Sequence, residues 1–508
     1  MNYKDFFRGK RVAVVGTGEH GAMLADVRFL MKLKVRLSIY DLRSRDKLGG
    51  SHHGSIAQEI ESICTGAMVG APASCHFGIL SLMADTKSRD SLSKELAEND
   101  IIILAPDIPR DSSFLRFAAD AGVRIEYADV LLFKLIPSTM LVGVMGSAGK
   151  SAVARMIYAI LENSDGAALL RESIVTESLG ITEVSDDKAD EDADTVEINQ
   201  PTKRSVFFAD PEIGGVLSHL KKVKKDDIII ARMPEHMMDE YRLARITPHV
   251  AVLTHVSKSL AQMGTAFFGV LEFQTYNSFI VASDIAIDML KKYGEFQPRA
   301  KMLRTMSSTI PSDWNIDIQN THVRENTALA VETAKIFKID PDAIHLALTQ
   351  MKPMKGRIER LKSVKGQISF YNDTMSIRPE ATLAALRALG ESDSGDVQNH
   401  RGIVLVIGGA YTGASYKDLF AEIPQYVSSV IVLPGSGTLT ERAGIEGLKE
   451  KDVKVLYVKN LIEAAENIKF LASKGDAVLF SPGFDITGQY ESRQARGEEF
   501  IEAVKAAK

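Results

Sequence analysis

A chain of 508 residues, 45% hydrophobic and 25% charged, has the make-up of a soluble globular protein with room for about three domains of ordinary size. A formal net charge of −5 with no evident basic face argues against nucleic acid as a partner, and no apolar run is long enough to cross a bilayer. The opening MNYKDFFRGKRVAVVG has no signal-peptide pattern, so a cytoplasmic location is expected; Cys64 and Cys75, the only cysteines, form no C-x-x-C arrangement and read as ordinary thiols.

The first predicted strand, RVAVVG, runs into a glycine turn and a helix. Gly16, Gly18 and Gly21 match G-x-G-x-x-G, and Asp41 closes the next predicted strand, VRLSIYD. Taken alone, this is a dinucleotide fingerprint, and an NAD-dependent oxidoreductase is one reading of it. The segment DLRSRDKLGGSHHGSIAQE reads as loop, with His52 and His53 solvated rather than ligands, because no partner at metal-ligand spacing stands nearby. A further strand–helix unit follows in IIILAPDIP and FLRFAADAGVRI.

The stretch LVGVMGSAGKS, Leu141 to Ser151, has the order strand, small-residue loop, helix. Gly146, Ser147, Ala148 and Gly149 let successive N–H groups turn toward an anion, and the helix that follows adds its positive end. Lys150 is placed to reach terminal phosphates and the Ser151 hydroxyl to sit on Mg²⁺, with Ala152 in the first helical turn. Val144 stands where the full G-x-x-x-x-G-K-[ST] pattern has its first glycine, so the bland alternative is a turn that happens to be rich in small residues.

Beyond that helix, SDDKADEDAD (Ser185 to Asp194) is an acidic run without apolar periodicity and reads as a solvated insertion. DDIIIAR and HVAVLTHV are buried strands by length and β-branched content, and QISFYND, RGIVLVIGG, SSVIVLPG and GDAVLFSPG form a last series. The alternation of strands and helices predicts an α/β protein with parallel, helix-covered sheets. Three domains are expected, over 1–137, 138–352 and 353–508.

This order of anchors resembles the Mur ligase family, and within it the UDP-N-acetylmuramoyl-L-alanine:D-glutamate ligase branch, from Lys10 to about Val504. GKRVAVVGTGEHG resembles the branch's opening strand and turn, and D-L-R at Asp41 to Arg43 its uracil-contacting strand end. APDIP, Ala105 to Pro109, stands for S-P-G-I-P, and VGVMGSAGKS for I-T-G-T-N-G-K-[ST]. PHVAVLT, RIE at Arg357 to Glu359, and Asn372–Asp373 follow in order. GDAVLFSPGFDITGQYESRQARGEEF tracks the family's last strand and loop.

The resemblance implies an ATP-dependent, ADP-forming amide ligase of peptidoglycan precursor synthesis, with ATP and Mg²⁺, a UDP-linked precursor and an amino acid as its small-molecule partners. It also implies that the first and third domains are Rossmann-like and the second a P-loop-type ATPase. It assigns Gly16, Thr17, Gly18, Gly21, Asp41 and Arg43 to the UDP moiety. It assigns Gly146 to Ala152 with Asn326, Arg357 and Asp373 to ATP, with Lys150 and Ser151 carrying phosphoryl stabilisation and metal. The departures also gather at the site. Ala231 aligns with the family's metal-binding glutamate and Asn277 with its carboxylated lysine, while His255 falls out of step with its histidine. Met375 and Ile486 replace a lysine and a serine that hold D-glutamate, and Asp107 and Glu19 put negative charge near a diphosphate. These losses make a catalytically degenerate sensor or scaffold the alternative expectation.

Overall fold

The computed structural model describes residues 2–18, 21–48, 56–65, 73–79, 86–137, 139–163, 204–314, 321–351, 355–361, 368–390, 401–487, 489–490 and 492–507. Glu19, His52, His53 and the acidic run Ser185 to Asp194 lie outside them. The chain divides into two compact units: residues 1–45, 58–316 and 325–351 form the first, and 46–57, 317–324 and 352–508 the second.

The first unit contains two parallel sheets. One has five strands in the order β3-β2-β1-β4-β5: β1 Arg11–Val15, β2 Arg36–Tyr40, β3 Ala73–His76, β4 Ile101–Leu104 and β5 Arg124–Tyr127. The other has six in the order β11-β10-β9-β6-β8-β7: β6 Met140–Met145, β7 Val206–Ala209, β8 Ile228–Arg232, β9 Val250–Leu253, β10 Phe279–Ser283 and β11 Lys301–Thr305. Central strands read as unbroken apolar runs because helices cover both faces; β4 and β9 are buried at every position. Strand order reverses beside β1 in the first sheet and beside β6 in the second. The carboxyl ends of those strands are where open α/β sheets bind ligands. Both glycine-rich turns are found there.

The two layers of this unit are joined through polar groups. Asp26, buried on the helix Leu24–Lys32, accepts from the N–H groups of Gly215 at 2.9 Å and Leu217 at 2.7 Å. The Tyr241 hydroxyl donates to buried Asp129. Arg110 pairs with Glu240 at 2.7 Å.

The second unit is built on a six-stranded sheet, β12-β13-β17-β14-β15-β16: β12 Glu359–Arg360, β13 Ser369–Asn372, β14 Ile403–Gly408, β15 Val427–Leu433, β16 Lys454–Tyr457 and β17 Ala477–Phe480. Only the short β12 is antiparallel to its neighbour. Alternation along β14 divides its side chains between two cores. Ile403, Leu405 and Ile407 pack with Leu383 and Leu386 of the helix Pro379–Gly390 and with Leu419 and Ile423 of Lys417–Tyr426. Val404 and Val406 pack with Leu461 and Ile468 of Leu461–Leu471 and with Phe500 of Arg493–Ala506. Each such side chain contributes roughly 1.5–3 kcal/mol on burial.

Candidate nucleotide-binding site

β6 delivers the loop Gly146–Gly149 straight into the helix Lys150–Asn163, whose apolar residues Val153, Ile157, Ile160 and Leu161 lie buried on the sheet. The N–H groups of Lys150, Ser151 and Ala152 have no acceptor earlier in that helix, so they point out of its first turn. Two neighbouring strand ends shape the loop. After β9, Thr254 Oγ1 donates to the carbonyls of Ala148 at 2.6 Å and Met145 at 3.1 Å, and the His255 carbonyl accepts from Ser147 N at 2.7 Å and Ser147 Oγ at 2.8 Å.

Both loop glycines are required by space and by backbone. Gly146 has φ +145°, and a Cβ there would come within 2.2 Å of Thr254 Oγ1. Gly149 has φ +86°, and its Cβ would come within 2.5 Å of Asn326 Oδ1. Asn326 therefore lies against the loop, on the helix Thr321–Ile336.

Lys150 is buried. Its Nζ donates to the Gly146 carbonyl at 2.6 Å and to Glu235 Oε2 at 2.7 Å. Burial lowers the Lys150 pKa, and the Glu235 carboxylate works against that shift. Glu235 stands just past the end of β8, the third strand end of the site. The donor set fits a triphosphate: one ammonium, a turn of outward N–H groups and a cradle that any Cβ would fill. The half-buried Ser151 and Glu235 supply oxygen donors for a metal; among the described residues no cluster of three or more His, Cys, Asp or Glu forms a ready-made metal site.

Two alignment-based expectations are corrected by position. Ala231 is buried within β8, level with Gly143 of β6 and Ala209 of β7, so the strand-end residues are Arg232 and, beyond it, Glu235. Asn277 precedes β10 at its amino end, whereas the loop lies at the carboxyl ends of the same parallel sheet. Neither residue stands at the loop after β6. His255, set aside in the sequence reading, sits on the loop itself through its backbone, with its side chain exposed.

The first turn is closed upon itself. Thr17 is buried and donates through its N–H, at 3.0 Å, and through its hydroxyl to Asp41 Oδ2. Gly16 N donates to the Tyr40 carbonyl. The Arg43 guanidinium folds back onto Asp41 Oδ1 at 2.9 Å, the Thr17 hydroxyl at 2.8 Å and the Gly18 carbonyl at 3.1 Å. Burial alone would raise the Asp41 carboxyl, but the Arg43 hydrogen bonds and charge, with the Thr17 hydroxyl, hold it below the usual carboxylate range. The predicted residues are thus brought together, with Gly21 one turn further on, where its N–H donates to the Gly18 carbonyl. Asp107 is exposed on the loop after β4.

In the second unit, the charge of Arg357 is felt by Asp373. Asp373 accepts from Ile358 N at 3.1 Å and from Ser481 Oγ at 2.7 Å. Burial pushes its carboxyl up to about 6, against hydrogen bonds from Ser376 and Ser481 and the Arg357 charge. Met375 is half-buried, its N–H on the Gly356 carbonyl, and Ile486 N donates to Asp485 Oδ1, whose carboxylate pairs with Arg493 at 3.1 Å. Arg496 is almost wholly buried and donates to the carbonyls of Phe484 at 3.2 Å and Thr374 at 3.0 Å. It ties the two loops together. Sequence reading missed Thr254, Arg232 and Arg496; a polar residue ending an apolar strand was the available signal for the first two.

Comparison with known proteins points to one group of enzymes. Residues 356–484 match the family described as Mur ligase, glutamate ligase domain. The chain is 25% identical over 512 aligned positions to the UDP-N-acetylmuramoylalanine–D-glutamate ligase of Roseiflexus sp. (strain RS-1), covering 98% of this chain and 99% of the relative. To the ligase of that name from Ligilactobacillus salivarius (strain UCC118) it is 24% identical, over 99% and 98%. Among solved structures, a murein peptide ligase from Psychrobacter arcticus 273-4 superposes with a TM-score of 0.53 at 15% identity, covering 98% of this chain and 99% of that one. UDP-N-acetylmuramate–alanine ligase from Thermotoga maritima gives 0.54 at 13%, over 98% and 100%. Residues 356–484 thus carry the Mur ligase C-terminal domain, the chain is similar over its full length to relatives that bear Mur ligase names, and it shares the fold of solved Mur ligases.

Proposed function

We propose that this chain is an ATP-dependent, ADP-forming ligase of peptidoglycan precursor synthesis that joins an amino acid to the carboxylate of a UDP-linked precursor. The observation that carries the reading is the loop after β6, with Lys150 at the first helical position and Gly149 packed on Asn326. A precursor carboxylate oxygen would bond to the γ-phosphorus as the bridging bond to ADP breaks. The amino acid's nitrogen would then bond to the acyl carbon, lose a proton, and release inorganic phosphate.

In this reading the Lys150 ammonium and the amides of Gly149 to Ala152 hold the phosphates and offset the charge that develops in transfer. Ser151 and Glu235 would hold Mg²⁺, which when bound neutralises phosphate charge. For Glu235 that means leaving Lys150 as nucleotide arrives. Gly16, Thr17, Gly18, Gly21, Asp41 and Arg43 are assigned to the UDP moiety, and Arg357 and Asp373 to the nucleotide, on the family resemblance. With Met375 and Ile486 in place of charged and hydroxyl contacts, the acceptor need not be D-glutamate.

The test is ADP release from ATP and Mg²⁺ with UDP-N-acetylmuramoyl-L-alanine, scanned across amino acids with Lys150→Ala as control. Release that depends on one amino acid and on Lys150 supports the reading and names the acceptor. ATP binding without acceptor-dependent release from any amino acid would overturn it in favour of a nucleotide-binding relative.

A further inference from the structure

β8 is apolar from Ile228 to Ala231 and then ends on Arg232, whose side chain is only 10% exposed. A guanidinium taken out of water costs several kcal/mol unless it is well paired. The pairing here is incomplete. One terminal nitrogen reaches Glu212 Oε1 at 2.8 Å and Asp210 Oδ1 at 3.4 Å, while the buried Nε has no hydrogen-bond partner among the described residues.

The two carboxylates differ. Asp210 is buried and fixed, its Oδ1 also accepting from Glu212 N at 3.1 Å. The Glu212 side chain is 41% exposed and can swing away. Register puts Arg232 level with Val144, two residues below the glycine loop. The charges of Arg232 and Glu212 are both felt by Lys150, alongside the direct Glu235 contact. Two buried cations thus stand at one end of one sheet, each with a part-exposed carboxylate from the chain itself. Without those carboxylates they would repel; a polyanion satisfies both.

We propose that Arg232 is a second phosphate-binding cation, which contacts the terminal phosphate of the triphosphate held by Lys150 and keeps Glu212 as its partner until nucleotide arrives. This rests on the nucleotide reading of the loop. It gives the site a means to tell a triphosphate from a diphosphate, because only the former extends to a second cation.

Calorimetric titration with the imido analogue of ATP and with ADP, both with Mg²⁺, tests it. Arg232→Gln should lower affinity for the triphosphate by roughly tenfold or more, the loss of one charge-assisted contact, while ADP affinity changes much less. Glu212→Gln, at an exposed position that should fold whatever Arg232→Gln does, should raise triphosphate affinity by releasing Arg232. A merely structural arginine would move both nucleotides together in Arg232→Gln, and Glu212→Gln would then leave the preference unchanged; either result overturns the proposal. Wild-type protein that binds neither nucleotide, or binds both equally well with Lys150→Ala, would instead remove the nucleotide reading on which it rests.

Discussion

The turns after β1 and β6 share one sequence grammar, strand, glycines, helix, at the same place in two parallel sheets. Their hydrogen bonds differ. After β6 the helix begins at Lys150 directly behind the glycines, and its first amides face outward. After β1 the helix begins only at Leu24, and Gly16 N, Thr17 N, Gly21 N and the Gly18 carbonyl are bonded within the protein. Glycine spacing reports that a backbone can turn; it does not report whether its N–H groups remain available to a ligand.

The comparison can be broken most directly at Lys150. Lys150→Ala should reduce ADP-forming turnover roughly 10²–10³-fold, the usual cost of losing one transition-state charge contact, read by a coupled ADP assay. Turnover close to wild type would put the second turn on the same footing as the first. Gly149→Ala comes next. A side chain at φ +86° and 2.5 Å from Asn326 Oδ1 should cost about 1–3 kcal/mol in chemical denaturation and weaken ATP binding with it.

At the first turn, Asp41→Asn should cost about 1–3 kcal/mol of stability, because it leaves the folded-back Arg43 without its charge partner. The sign with pH follows from its lowered carboxyl. The contribution is present above roughly pH 4 and is lost as pH falls through the folded value, so wild type and variant should converge in acid. A separate pH effect concerns Asp26 on the helix after that turn, which burial pushes up to about 7 against the bonds from Leu217 and Gly215. Between roughly pH 4 and 7 the folded chain keeps a proton that the unfolded chain has released. Stability should therefore fall as pH rises through that window, on the order of 1 kcal/mol per unit, a slope absent in Asp26→Asn. Parallel denaturation profiles for the two proteins would show that Asp26 does not hold this proton.

Much of the fold was legible because buried parallel strands are short apolar runs. IIIL, VAVL and IVLVIG form strands inside the longer runs IIILAPDIP, HVAVLTHV and RGIVLVIGG, each shorter than its run at one or both ends. β3, β7, β11 and β16 were not singled out; each is half-buried or exposed along much of its length, and polar residues dilute the pattern of β3, β11 and β16. At the site, Lys150, Ser151 and Asn326 were legible from motif order. Ala231 and Asn277, matched from short segments, stand away from the loop, since such matching fixes no depth in a strand. A shift of a few residues moves a side chain from the loop to the sheet interior or to its far end.

The sequence by itself determined the class, the loop and the family resemblance, because hydrophobic period, glycine placement and motif order are local properties of a chain. Tertiary structure decided which charges meet. Glu235 reaches Lys150 although 85 positions separate them, Arg232 pairs with Asp210 and Glu212 at the end of β8, and Arg43 closes the turn after β1. Those encounters depend on parallel strands bringing distant ends to one edge. Burial there makes each unpaired charge too costly to leave without a partner.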